Sequence, residues 1–321
     1  MAHYYLLPRR FSATLRCVRP LIWRLESWLV ALILCVLRLL PLSLASRLAG
    51  WCFERIGPHT PRAQKVRQNL AVAFPGQNPF EAERLLRNTF RYVGVAMVEL
   101  VQLPQIWRRR EQRIEFVLEP GAVTPAAELP CVFVTAHVGA WQLAPLVGPN
   151  FGVTIPIIHA PEENPYVDRL FRRMRSAWGG PLVVSDGGVR EAMRSLNQGH
   201  SIGLAIDTRL DSGAALPFFG EDALTNTVPA RLALRYGCDM VPVLAERLPN
   251  ERYRIRIFPP VRPRADSMGA NDQVKDMIVQ LNQRVERWIQ ARPGEWFCMK
   301  QRWPKATIAR YCAEDRDGQL S

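Results

Sequence analysis

Apolar residues follow two different spacings along this chain, and the spacing changes near residue 130. After that point, short runs rich in β-branched residues alternate with segments of helical periodicity, whereas residues 61–110 read as helical throughout. The predicted strands are 131–135, 153–158, 182–185, 201–206, 240–245 and 253–258, and the later predicted helices are 165–178, 189–198, 226–236 and 271–291. This alternation predicts an α/β fold in which helices flank a mixed sheet.

The most apolar segment, WLVALILCVLRLL at 28–40, lies near the amino terminus. The run between Glu26 and Arg38 holds eleven uncharged residues, fewer than the ~20 that a helix needs to span a bilayer. On a helix, one narrow stripe comprises Arg24, Ser27, Ala31 and Arg38. Such a stripe is typical of a helix that lies in the membrane interface, where its arginines reach lipid phosphates.

Basic residues flank this segment on both sides, which disfavours a helix that crosses the membrane. They are Arg9, Arg10, Arg16 and Arg19 before it, and Arg55, Arg62, Lys65 and Arg67 after it. Two alternatives remain: a buried core helix, and a signal peptide cleaved near SLAS at 43–46, against which Arg38 argues. We expect a membrane-associated segment at 1–55, an α/β domain at 56–310 on the cytosolic side, and a loose tail at 311–321.

The charge balance indicates an acidic partner. Lysine and arginine total 42 against 29 aspartates and glutamates, a formal net charge of +13. Anionic lipid or an acidic carrier protein would suit this excess. Nucleic acid is disfavoured because the arginines form no patch interleaved with aromatic residues. The alternative is a basic protein without a special partner.

Cysteine usage favours a reducing compartment. The seven cysteines are scattered, and no CxxC pair or Cys/His cluster is present, so neither a structural metal site nor a disulfide framework is expected. We therefore predict no metal and no cofactor.

A candidate catalytic residue, His137, follows the predicted strand 131–135. Open α/β sheets place ligands at the carboxyl ends of their strands, and histidine is the side chain best suited to act as a general base near neutral pH. Position alone is also compatible with a structural histidine.

Four ordered blocks resemble the lipid A biosynthesis lauroyl/myristoyl acyltransferase family, whose signature is His-x4-Glu. They are HVGAWQ (137–142), NPYVDRLFRRMRSAWGG (164–180), AIDTRLDSGAALPFFG (205–220) and LNQRVERWIQARPGEWFCMKQRW (281–303). The resemblance covers about residues 20–305 and implies a glycerolipid acyltransferase-like fold at the cytosolic face of the inner membrane. It also implies that His137 deprotonates a hydroxyl of a lipid acceptor, such as a lipid A precursor. That hydroxyl then attacks a thioester of acyl carrier protein or coenzyme A.

One position departs from the family pattern, because Gln142 occupies the place of the glutamate that orients the histidine and stabilises its charged form. A glutamine oxygen can still accept from the ring N–H, but it supplies no negative charge, and the analogous change in serine proteases costs roughly 10⁴ in rate. Another acid could replace the glutamate, and Glu162 and Glu163 are candidates. Otherwise the chain would be a degenerate member that acts as a lipid-binding or scaffold protein.

The resemblance assigns further residues to the substrate site. Arg175 lies at the rim of the apolar face of helix 165–178 and matches an arginine that binds the acceptor or developing charge, with a structural ion pair as the alternative. Asp207 ends a predicted strand and is either a substrate-binding residue or a turn cap. Phe218, Phe219 and Gly220 are expected to line the acceptor site or acyl pocket. Trp296, Arg302 and Trp303 also match the family.

A formal GxSxG motif at 199–203 is not a nucleophile elbow. That elbow needs a strand before the serine and a helix after it, whereas here a helical segment precedes Ser201 and a strand follows. A hydrolase built on Ser201 is therefore disfavoured.

Overall fold

The computed structural model describes residues 19–185, 188–265 and 269–317. The first part of the chain is helical, as predicted for 61–110. Its helices are α1 (Arg19–Leu39), α2 (Leu42–Ile56), α3 (Arg62–Ala73), α4 (Pro79–Arg108) and the short α5 (Arg110–Arg113). The helices α2 and α4 pack so closely that a Cβ on Gly94 would lie 2.4 Å from the backbone oxygen of Ala49. Glycine is therefore required at that crossing.

Helix α1 is longer than the apolar run suggested. It has 21 residues with a mean hydropathy of 1.8 in its most apolar window, and among the described residues it alone is long and apolar enough to cross a membrane. The helix therefore extends beyond the run of eleven uncharged residues on both sides. Glu26 is buried against the body of the protein, while apolar side chains point outward, among them Leu25 and Trp28. The flanking residues Arg9, Arg10 and Arg16 lie outside the described residues.

The seven-stranded mixed sheet confirms the predicted α/β fold class. In spatial order its strands are β1 (Ile114–Leu118), β9 (Arg252–Ile257), β8 (Asp239–Leu248), β2 (Cys131–Thr135), β5 (Ile202–Ala205), β3 (Ile157–His159) and β4 (Leu182–Val184). The pair β8 and β9 is antiparallel, and the other neighbours are parallel. The carboxyl ends of β2, β5, β3, β4 and β8 therefore meet at one edge of the sheet.

The later helices cover the sheet. They are α6 (Val147–Phe151), α7 (Pro165–Met174), α8 (Gly188–Asn197), α9 (Val228–Tyr236), α10 (Ala270–Ala291) and α11 (Lys305–Asp317). Helix α7 begins as its sequence indicates, since the Asn164 side chain accepts from the backbone N–H groups of Tyr166 and Val167 and Pro165 occupies the first turn. Helix α11 continues to Asp317, so a helix occupies much of the segment expected to be a loose tail; residues 318–321 lie outside the described residues.

Several elements did not emerge from the sequence pattern, among them α2, α6, α11, β1 and the hairpin of β6 (Ala214–Phe218) and β7 (Glu221–Thr225). The hairpin strands contain Ala, Pro, Glu and Asp, which have low strand propensity, so their pairing comes from the fold. The two-residue turn Phe219-Gly220 has positive φ values of 52° and 75°, which characterises tight hairpins.

Candidate active site

The strand register brings His137 and Asp207 together. Strands β2 and β5 are parallel, and Thr135 is the register partner of Ala205. His137 and Asp207 each lie two residues after these register partners, so their side chains are neighbours at the carboxyl edge of the sheet. The distance from His137 Nδ1 to Asp207 Oδ1 is 2.7 Å.

The second oxygen of Asp207 is also bound. Its Oδ2 accepts from the indole N–H of Trp296 at 3.1 Å, and both residues are buried. Burial alone would raise the pKa of Asp207, but the nearby charge of His137 and the hydrogen bonds from His137 and Trp296 outweigh it and lower the pKa. Asp207 is therefore a carboxylate at neutral pH, although it is shielded from water.

This carboxylate fixes the tautomer of His137. An ionised carboxylate only accepts hydrogen bonds, so Nδ1 carries the ring hydrogen that it donates, and in the neutral imidazole this leaves a lone pair on Nε2. The ring lies edge-to-face against Trp141, with centroids 4.8 Å apart, and 6.1 Å from the ring of Phe297. The His137 side chain keeps 21% of its surface exposed, which makes it accessible to a substrate.

The loop after His137 fits closely against β8. Gly139 has a φ of 65°, and a Cβ there would lie 2.4 Å from the backbone oxygen of Ala245. That same oxygen accepts from the backbone N–H of Ala140 at 2.8 Å. The glycine between His137 and Trp141 is therefore needed to direct the imidazole toward Asp207.

Gln142 does not take the place of the missing glutamate. It lies on the 3-10 helix Trp141–Leu146 with 2% of its surface exposed, and its Oε1 is buried without a hydrogen-bond partner in the described part of the chain. The expectation that this oxygen accepts from the imidazole is therefore wrong. Neither Glu162 nor Glu163 replaces the acid, because Asp207 occupies Nδ1 of His137. The residue predicted to bind substrate or cap a turn thus holds the histidine.

A cavity of about 560 Å³ opens at His137 and extends between the sheet and the helices. Its inner wall is apolar and includes Val93, Ala96, Met97 and Leu100 of α4, Phe133 and Ile157 of the sheet, and Trp178. The catalytic edge adds Asp207, Thr208 and Lys300. Among the described residues, no cluster of three or more His, Cys, Asp or Glu side chains could hold a metal ion.

Arg175, which the resemblance assigns to substrate binding, borders the same cavity. Its guanidinium lies 5.9 Å from the ring centroid of Phe171 and 5.6 Å from that of Trp178, and its Nε and Nη1 are buried without hydrogen-bond partners in the described residues. Burial lowers the pKa of Arg175, and the charges of Glu162 and Asp168 partly oppose that effect. The side chain is thus a cation between two aromatic rings, in a position to meet an anionic or polar group.

The expectation for Phe218, Phe219 and Gly220 is not met. These residues form the turn end of the β6–β7 hairpin and do not border the cavity. Phe218 is fully buried in an aromatic cluster, with its ring centroid 6.2 Å from Trp296 and 5.7 Å from Trp303. Phe218 and Phe219 therefore pack against Trp296, and neither they nor Gly220 border the cavity at His137.

Two features escaped the sequence reading: the role of Asp207 as the histidine's partner, and the hydrogen bond from Trp296. The first had a usable signal, because both residues follow buried apolar strands that could be neighbours in a parallel sheet. The second had none, since Trp296 lies 89 positions from Asp207 and reaches it through a bridge with Val138.

Comparison with known proteins identifies the family of the chain. The model of the family described as bacterial lipid A biosynthesis acyltransferase matches residues 11–305. A lipid A biosynthesis acyltransferase from Haemophilus influenzae is 20% identical over 292 residues, which cover 88% of each chain. The crystal structure of the 1-acyl-sn-glycerophosphate acyltransferase PlsC from Thermotoga maritima gives a TM-score of 0.36 at 16% identity, covering 73% of this chain and 100% of that one.

The protein is accordingly an acyltransferase, with its histidine at the carboxyl edge of a mixed sheet. It belongs to the bacterial lipid A biosynthesis acyltransferase family.

Proposed function

We propose that this enzyme moves a fatty acyl chain from a thioester of acyl carrier protein or coenzyme A to a hydroxyl group of a lipid acceptor. That acceptor would be a lipid A precursor, with the hydroxyl on the sugar or on one of its acyl chains. The hydrogen bond of 2.7 Å between His137 and the buried carboxylate of Asp207, at the mouth of an apolar cavity, carries the proposal.

The proton pathway follows from the tautomer of His137. Nε2 removes the proton from the acceptor hydroxyl as its oxygen attacks the thioester carbonyl carbon. Asp207 then stabilises the imidazolium, as the acid does in a serine-protease triad. The tetrahedral intermediate collapses by breaking its carbon–sulfur bond, and the imidazolium returns the proton to the departing thiolate. The products are a new ester and a free thiol.

Different parts of the cavity wall suit the acyl chain and the polar group of the acceptor. Its apolar wall between α4 and the sheet suits an acyl chain, and its volume lies within the range of ligand pockets, roughly 300–1,000 Å³. Arg175 lies at the border of the same cavity, where a cation can bind a phosphate or other polar group of the acceptor.

The acyl donor would approach across the basic surface of helix α7. Arg169 and Arg173 on α7 are exposed, and they follow the Asn164 cap on the helix that leads to Arg175. Exposed arginines suit the acidic surface of an acyl carrier protein and would raise the rate of encounter.

The acceptor is a lipid, and the protein presents an apolar surface for it. The exposed apolar residues on α1 and α2 include Leu21, Leu25, Trp28, Leu32, Leu44, Leu48, Trp51 and Ile56. Helix α1 is also bound along its length to the enzyme body, because Asn164 Nδ2 donates to the Trp23 oxygen and Gln102 Nε2 donates to the Leu37 oxygen. We infer that α1 lies in the interface of the inner membrane, with the enzyme body on the cytosolic face.

His137→Ala in the full-length enzyme tests the reaction. With lauroyl- or myristoyl-acyl carrier protein as donor and a lipid A precursor as acceptor, we expect acyl transfer to be lost. His200→Ala is a matched control because His200 is an exposed histidine in a loop, and it should retain transfer. Acyl transfer by the His137 variant at the wild-type rate would overturn the proposal.

Mass spectrometry of membrane lipids identifies the acceptor. Cells without the gene should lack one acyl chain on a single lipid class, and restoring the gene should return it. An unchanged lipid profile in both strains would contradict the proposed acceptor.

A further inference from the structure

A buried network of three charged residues lies behind the catalytic histidine. Arg247 Nε and Nη2 donate to the two carboxylate oxygens of Glu99 at 2.7 and 2.8 Å, and its Nη1 donates to Glu295 Oε2 at 2.6 Å. The network joins helix α4, strand β8 and the 3-10 helix Pro293–Glu295. The guanidinium also lies 5.2 Å from the ring centroid of Tyr92.

These charges are shielded from water. The exposed fraction of the side chain is 0% for Glu99, 13% for Arg247 and 12% for Glu295. Burial alone would lower the pKa of Arg247, but the carboxylates of Glu99 and Glu295 outweigh it and raise the pKa. The guanidinium is therefore always charged, and both carboxylates are bound to it.

Glu295 adjoins the segment that closes the active site. Trp296 follows it directly, forms a bridge with Val138 and donates its indole N–H to Asp207. The backbone N–H of Phe297 donates to the His137 oxygen at 2.7 Å. The position of Glu295 therefore determines where both aromatic residues lie relative to the catalytic pair.

The fit of this segment against α4 leaves little freedom. A Cβ on Gly294 would lie 2.9 Å from Asn88 Cβ, so the 3-10 helix is packed directly on α4. A buried ion network often stabilises a fold no better than apolar side chains of similar size would. What it does supply is a defined orientation, because the planar guanidinium holds two carboxylates at fixed angles.

We propose that Arg247 and Glu295 are positioning residues that hold the Trp296 indole on Asp207, and thereby set the proton affinity of the His137–Asp207 pair. The inference rests on the proposed function of His137. Loss of the indole donor would leave Asp207 with a greater affinity for protons, and a more basic carboxylate also binds the imidazolium more tightly. Both effects raise the pH at which the pair loses its proton.

The test compares Trp296→Phe, which removes the indole donor, with Glu295→Ala, which releases the segment. In the acyl-carrier-protein assay we expect each variant to lower kcat by about tenfold or more, the scale of a hydrogen bond to a charged group, with a smaller change in KM for the donor. The acidic limb of the pH–rate profile should move to higher pH in both variants. Because the two residues act through one contact, the double variant should be no slower than Trp296→Phe alone.

The matched control is Glu119→Ala. Glu119 pairs with Arg256 at 2.7 Å and is 20% exposed, but it follows β1, whose carboxyl end lies at the opposite edge of the sheet. This variant should lower the melting temperature without changing kcat or the pH profile. If Glu295→Ala does not fold, Glu295→Gln keeps the volume and one acceptor oxygen, and it should shift the pH profile in the same direction by a smaller amount.

The inference is overturned if the folded Glu295 variants keep the wild-type kcat and pH profile and lose only stability, as Glu119→Ala does. Multiplicative losses in the double variant would also overturn it. The proposed function fails separately, if His137→Ala retains acyl transfer. Inactive His137→Ala together with unaffected Glu295 variants would reject the positioning role alone.

Discussion

His137 and Asp207 lie at equivalent positions after two neighbouring parallel strands, and a hydrogen bond of 2.7 Å joins them although they are 70 residues apart in sequence. The resemblance to the family implies an acid five positions after the histidine, where this chain has Gln142. In this structure the carboxylate that contacts the histidine is the one that follows β5. Adjacent strand ends bring the two residues within hydrogen-bond range although they are distant in sequence.

Replacement of Asp207 by Asn tests this partnership. An amide can present its oxygen to Nδ1 but cannot stabilise an imidazolium by charge, so we expect kcat to fall by about 10⁴, as in a serine protease with the equivalent change. KM should change much less, because Asp207 reaches the substrate through His137. Steady-state kinetics with acyl-carrier-protein thioester measures both quantities.

Asp239→Asn is the control for that variant. Asp239 pairs with Arg262 at 2.9 Å at the amino end of β8, away from the catalytic edge. It should retain wild-type kcat. Similar losses in the two variants would indicate a general effect of removing a carboxylate and would contradict the assigned role of Asp207.

A second prediction concerns Gln142→Glu, which restores the family signature. We expect no gain in kcat, because Asp207 already occupies Nδ1 of His137. The new carboxylate would be buried beside the cavity near an existing one, so it should lower the melting temperature. A tenfold or greater rise in kcat would show that the glutamine is a weakened acid position and that Asp207 is not an adequate substitute.

Much of this architecture is predictable from the residues. The strands at 131–135, 182–185 and 201–206 agree with β2, β4 and β5 to within two residues, because short apolar runs rich in β-branched residues favour strands. Asn164 and Pro165 place the start of α7 because a cap and a first-turn proline act within one helical turn. His137 and Arg175 border one cavity, as their places in the blocks suggested.

The remaining features depend on contacts between distant segments. Strand order is not contained in the hydrophobic pattern, so the sequence indicates that His137 and Asp207 each follow a buried strand but not that β2 lies beside β5. The sequence is equally compatible with Phe218 in a pocket and with Phe218 in the core. Only its contacts with Trp296 and Trp303 show that it lies in the core. In the sequence, Glu26 marks the charged end of an apolar run. Its burial beside the start of α7 depends on tertiary packing.

A third prediction follows from the lowered pKa of Asp207. A carboxyl group whose pKa is lower in the folded state stabilises the fold above its unfolded value of about 3.9, and that stabilisation is lost as the pH falls through the folded value. The free energy of unfolding of the wild type relative to Asp207→Asn should therefore be greatest near neutral pH and decline below about pH 4. Urea unfolding between about pH 3 and pH 7 measures it, and a difference that does not vary with pH would contradict an ionised Asp207.

The fourth prediction concerns the apolar face of α1 and α2. Leu25 and Trp28 of α1 are 60% and 75% exposed, whereas Glu26 is buried. Leu25→Glu together with Trp28→Glu should weaken binding to vesicles of anionic phospholipid by at least about tenfold, since burial of one large apolar side chain contributes roughly 1.5–3 kcal/mol. Co-sedimentation with the vesicles measures the binding.

Leu129→Glu is the matched control for the membrane surface. Leu129 is 57% exposed and precedes β2, at the edge of the sheet opposite His137. It introduces one negative charge where the double variant introduces two, so any general electrostatic repulsion from anionic lipid should appear in it as a smaller loss of binding. Because the α1 side chains are exposed, the double variant should keep the wild-type melting temperature and retain transfer to an acceptor dispersed in detergent. Unchanged vesicle binding by a folded double variant would show that α1 does not contact lipid through this face.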